Sequence, residues 1–89
     1  MPKISEQKIQ KIKEQILFHL YQQFPKQIFT SDIAREIERD EEFVKYLLID
    51  LEKQQLVTRI TKNPKGIKYL RRMRWRLTNK AHNAYKQYQ

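Results

Sequence analysis

Apolar positions recur along this chain with a helical period first and a strand period later. Between Ser5 and Gln23, Ile9, Ile12, Ile16, Leu17 and Leu20 fall at three- and four-residue spacing, and Lys, Gln and Glu fill the other face. That spacing predicts an amphipathic helix over 5–23, with Ser5 as its N-cap. Pro25 ends it, because the residue before a proline is pushed out of the helical region. A short extended stretch, Ile28–Phe29, leads into TSDIAREIER, where Thr30 or Ser31 is the expected cap and Ile33, Ala34 and Ile37 the apolar face. Asp40 caps a third helix that buries Val44, Leu47, Leu48 and Leu51 and ends near Gln55.

After Gln55 the period changes. Leu56–Thr61 and Arg74–Leu77 are alternating segments, the first of them β-branched, and each reads as a strand. Asn63–Pro64–Lys65–Gly66 between them is a turn signal, so the two strands form a hairpin. Thr78 caps a last helix whose Ala81, Ala84, Tyr85 and Tyr88 share one face. With 89 residues, 39% hydrophobic and 33% charged, the pattern describes a single globular domain spanning 1–89.

Composition narrows the chemistry by exclusion. Cysteine is absent, which removes disulfides and thiolate zinc sites. Gly66 is the lone glycine, so there is no glycine-rich phosphate loop. His19 and His82 have no second ligand at metal spacing, and the carboxylates are scattered over helix surfaces. No catalytic constellation, cofactor motif or metal site emerges. No apolar run reaches the 18 or so residues of a membrane span, and the first residues carry no apolar signal region, so a cytoplasmic protein is expected.

Charge is the informative property. The net charge is +9, yet residues 1–55 hold nine basic and ten acidic side chains. From Leu56 to Gln89 there are ten Lys and Arg residues and no Asp or Glu; the last acid is Glu52. A one-sign segment of that density marks a polyanion partner, nucleic acid first. Leu56, Val57, Ile60, Ile67, Leu70, Trp75 and Leu77 interleave with the cations, which argues against a disordered tail. Trp75 alternates with Arg74 and Arg76, so it faces away from them, toward the core.

The chain resembles the winged helix-turn-helix family, most closely its MarR-type regulators. VKYLLIDLEKQQLVTRI matches a recognition helix ending in LxxLExxGLV, through Leu48, Leu51, Glu52, Leu56 and Val57. RWRLTNKA matches the return strand and following helix, YxLTxKG, through Trp75, Leu77, Thr78 and Lys80. Two places depart from the pattern: Gln55 stands where the family has glycine, and the corner Glu38–Arg39–Asp40 lacks a small residue. The resemblance implies an α+β winged helix-turn-helix fold: a three-helix core, a small antiparallel β-hairpin wing and a C-terminal helix.

It also implies a function: double-stranded DNA binding by a transcriptional regulator, without catalysis, as a homodimer through the first and last helices. The wing would meet DNA backbone or minor groove, which makes Arg59, Lys62, Lys65, Lys68, Arg71, Arg72, Arg74 and Arg76 the candidate contacts. The third helix would enter the major groove, with Glu41, Glu42, Lys45, Tyr46, Ile49 and Glu52 pointing outward and Lys45 and Tyr46 reaching the DNA. Its acids read more simply as stabilisers of the helix N-terminus. Two alternatives stay open at this point. One is an RNA- or ribosome-associated winged helix using the same wing; the other is a protein-interaction module docking a partner through the third helix.

Overall fold

The computed structural model describes residues 5–60 and 73–87. Its elements are α1 (Glu6–Gln23), β1 (Ile28–Phe29), α2 (Thr30–Ile37), α3 (Glu41–Lys53), β2 (Val57–Ile60), β3 (Arg74–Leu77) and α4 (Asn79–Gln87). The sheet is antiparallel in the order β1-β3-β2, so the last strand sits in the middle. Helices α1–α3 pack with this small sheet and α4 follows it, which is the winged helix-turn-helix fold that the family resemblance implies; the change of period after Gln55 marks only the passage from α3 to the sheet. The expected turn at Asn63–Gly66, the strand end Thr61 and Tyr88 lie outside the described residues.

Caps set most helix starts. Ser5 Oγ accepts from Lys8 N at 3.3 Å, Asp40 Oδ2 from Phe43 N at 3.1 Å, and Thr78 Oγ1 from Ala81 N at 3.1 Å. The start of α2 departs from expectation. Phe29 holds the N-cap position without a side-chain cap bond, and Thr30 is the first helical residue. The Thr30 hydroxyl points into the core instead, where it accepts the indole N–H of Trp75 at 2.8 Å and donates to Met73 O at 3.4 Å. A buried indole N–H needs an acceptor, and that demand outweighs a cap bond available to water.

Among the described residues, the two non-glycine positions with positive φ fall at the two departures from the family pattern. Glu38 (φ 56°) ends α2, and its N–H and that of Arg39 reach back to Ala34 O. Gln55 (φ 63°) turns the chain from α3 into β2, with Leu56 N donating to Leu51 O at 3.0 Å. A side chain therefore stands at each place where glycine is easiest.

Ile12, Ile16, Leu20, Ile33, Val44, Leu47, Leu48, Leu51, Val57, Trp75 and Leu77 form the core, each at most 2% exposed. Full burial of a side chain of this size is worth roughly 1.5–3 kcal/mol. Strand parity assigns sides: Val57 faces Leu77, Arg59 faces Trp75 and Ile28 faces Trp75, all on the helix side. Thr58 and Arg76, Ile60 and Arg74, and Phe29 and Arg74 pair on the outer side. Lys13 corrects the expectation of a polar α1 face: it is 7% exposed and forms an ion pair with Asp50 on α3. Ala84 is exposed, although it shares the spacing of the buried Ala81.

Candidate nucleic-acid interface

The exposed side of α3 begins with Glu41 and Glu42, both open to solvent, and continues through half-buried Lys45 to Tyr46, which is 70% exposed. The acids lie in the first turn, where they oppose the positive end of the helix dipole. Of the side chains expected to point outward, two do not stand free. Ile49 packs partly against the core, and Glu52 is half-buried in an ion pair. Lys45 and Tyr46 are thus the non-acidic side chains that α3 offers between its two ends.

Three of the eight cations expected in the wing lie on the described strands. Lys62, Lys65, Lys68, Arg71 and Arg72 lie outside the described residues. Arg74 and Arg76 occupy the outer side of β3, opposite Trp75 in parity, as the alternation predicts. The Arg74 guanidinium stands 4.7 Å over the Phe29 ring, and Arg76 Nη1 donates to Leu77 O at 2.8 Å. Arg59 is different. It shares the helix side with Val57 and lies 5.3 Å over the Trp75 ring, while Nη2 donates to Glu52 Oε1 at 3.0 Å. The signal was available in the sequence: Val57 and Arg59 are two apart, so an inward Val57 places Arg59 inward too.

Other polar groups hold the frame. The Asp50 carboxyl lies below its ordinary value because Lys13 donates a hydrogen bond to it; partial burial opposes this, and Gln54, donating at 3.1 Å, adds to it. Tyr85 is raised by burial, with Glu14 adding to the shift. It belongs to an aromatic cluster where α1 meets α4: Tyr21 lies 5.0 Å from Tyr85 and 5.3 Å from His82, and His82 stacks on Phe24 at 3.9 Å. The sequence gives no warning of that stack, which needs two helices brought together. An open cleft of about 480 Å³ between α1 and α2 is lined by His19, Lys26, Phe29, Asp32, Arg35 and Glu36, among others. Asp32 and Arg35 pair there at 3.6 Å, so its charges oppose each other and it makes no anion site. Among the described residues no group of three or more His, Cys, Asp or Glu could hold a metal ion, and no helix is long and apolar enough to cross a membrane.

No family model and no curated protein sequence matches the chain. Solved structures do. The chain is similar to S. aureus MepR in its complex with DNA (23% identity, 93% of this chain and 68% of that one, TM-score 0.71). It is similar to ZitR of Lactococcus lactis (23%, 92% and 57%, TM-score 0.70) and to the transcriptional regulator PA4135 (22%, 86% and 52%, TM-score 0.69). The chain spans between about half and two-thirds of the length of these proteins. At this identity the likeness establishes architecture, and it agrees with the element order and the sheet. The chain has the winged helix-turn-helix fold of the MarR-type regulators.

Proposed function

We propose that this chain binds double-stranded DNA and acts as a cytoplasmic transcriptional regulator rather than as an enzyme. The observation that carries the reading is the charge asymmetry: every Lys and Arg after Leu56 lies in a segment without a single acid, and that segment includes both strands of the wing. Phosphate contacts from Lys62, Lys65, Lys68, Arg71 and Arg72, joined by Arg74 and Arg76, would supply most of the affinity. Lys45 and Tyr46 on α3 would add a limited base-reading term. MepR, solved with DNA on the same fold, supports this assignment. A homodimer through the first and last helices, the expectation carried by the family resemblance, belongs to this reading.

One observation favours a second reading. Tyr46 is 70% exposed beside exposed acids, a surface that suits a protein partner as well as a base edge.

A salt series on random duplex DNA, a single strand and a structured RNA separates the readings. If roughly four cations contact phosphates, log K falls against log salt with a slope near −3 to −4 on duplex DNA. Alanine at Arg71, Arg72 and Arg74 together should flatten that slope and leave the fold intact. A slope flatter than about −1, or no binding at about 50 mM salt, refutes DNA binding. Tighter binding to the RNA assigns the wing to RNA instead.

A further inference from the structure

The last acid of the chain and the first cation of its acid-free segment hold each other. Glu52, in the final turn of α3, takes Nη2 of Arg59 at 3.0 Å, and the two side chains are 33% and 28% exposed. The guanidinium also rests over Trp75, and Arg59 Nε is buried with no acceptor among the described residues. Within the described residues Glu52 is the single carboxylate in salt-bridge contact with Arg59. Both groups are two-thirds shielded from water, so salt screens their attraction less than it screens a surface pair.

We propose that Glu52 withholds Arg59 from nucleic acid: it neutralises that cation in the free protein and keeps it out of the set that contacts phosphate. The inference rests on the nucleic-acid reading of the wing. Arginine is the side chain best shaped to grip a phosphate with two hydrogen bonds. Arg59 faces the helix side of the sheet, opposite Arg74 and Arg76, so once freed of Glu52 it would meet a phosphate from the α3 side and add one contact to theirs. Each added phosphate contact strengthens binding to every sequence alike, because phosphates carry no sequence information. A carboxylate at the end of α3 trims that indiscriminate term and leaves the exposed face of the helix, with Lys45 and Tyr46, untouched. Glu52 is therefore a specificity-determining residue that acts by subtraction.

The test is a cycle of four proteins in the duplex salt series: the unaltered chain, Glu52→Gln, Arg59→Met and the double variant. Glutamine keeps the shape of Glu52 and its acceptor oxygen and removes the charge; methionine keeps an apolar stem over Trp75. Glu52→Gln should steepen the slope by about 0.9, one further phosphate, which is about eightfold tighter binding at 0.1 M salt for lines that meet at 1 M. Arg59→Met alone should leave the slope where it was, and the double variant should return to that same slope. An unchanged slope in Glu52→Gln, a gain that survives without Arg59, or a full phosphate lost in Arg59→Met alone each overturns the proposal. Tripolyphosphate gives a readout independent of DNA. The Arg59 guanidinium resonances should shift in Glu52→Gln at concentrations that leave the unaltered chain unmoved, and equal shifts in both overturn the proposal. If no variant binds duplex while that difference persists, the DNA reading falls and the masking of Arg59 stands.

Discussion

Thr30→Val is the sharpest test of how the helices are tied to the sheet. Valine matches threonine in shape and removes only the hydroxyl. In the folded protein that hydroxyl accepts the N–H of Trp75, a residue with no exposed surface, at 2.8 Å, and Thr30 itself is 6% exposed. The substitution strands a buried donor, which costs about 1–3 kcal/mol. Little more is lost at Met73 O, because that carbonyl keeps the Thr30 N–H at 3.2 Å after the long hydroxyl bond is gone. With a central value of about 2 kcal/mol, Tm should fall by roughly 8–16 °C, at ~4–8 °C per kcal/mol for a domain of this size.

A helix cap at Thr30 would also lose stability on this change, by ~0.5–2 kcal/mol, so the single variant does not decide between the roles. Trp75→Phe does, because it removes the donor. Against that background Thr30→Val should cost less than ~0.5 kcal/mol, and the coupling in the double-mutant cycle should reach ~1–3 kcal/mol. Urea unfolding followed by far-ultraviolet circular dichroism supplies all four free energies. Additivity within about 0.5 kcal/mol would refute the buried brace and restore the cap.

Two further outcomes concern stability. Asp50 sits below its ordinary value of 3.8 through the Lys13 hydrogen bond, so its contribution is complete above that value and is lost as pH falls through the depressed one. Asp50→Asn should lower Tm at neutral pH, with the gap to the unaltered chain closing below about pH 4. Lys13→Met should cost less, since it leaves the half-exposed Asp50 to water whereas Asp50→Asn leaves the buried Lys13 unpaired. Equal losses would refute this asymmetry of burial, and a gap constant with pH would show that the charge on Asp50 contributes nothing. Glycine at Glu38 or at Gln55 should stabilise by ~0.5–1 kcal/mol each, the relief of a left-handed Cβ of about 1–2 kcal/mol less the added freedom of the unfolded chain. At Gln55 no partner is lost, because Thr78 Oγ1 donates to the backbone carbonyl, and an unchanged or lower urea midpoint would refute the strain.

What the sequence reveals here is whatever depends on neighbours within one turn or one strand. Arg74–Leu77 is readable to the residue because its alternation is strict, and α3 because Val44, Leu47, Leu48 and Leu51 repeat at helical spacing above a capping aspartate. The misreadings have one cause. The partner of Thr30 is 45 residues away, and that of Lys13 is 37 away. A threonine before a helix looks like a cap, and a lysine among glutamines looks solvated, until the fold brings a Trp or an Asp against it. The candidate interface divides along the same line. Its charge is a property of composition and needs no coordinates. Which cation is free to act is a property of packing, and Arg59 shows the difference. By composition it belongs with its basic neighbours; by parity it lies over Trp75 in the grip of Glu52. A count of cations therefore overstates this surface by at least one, and the salt slope of the unaltered chain should report the smaller number.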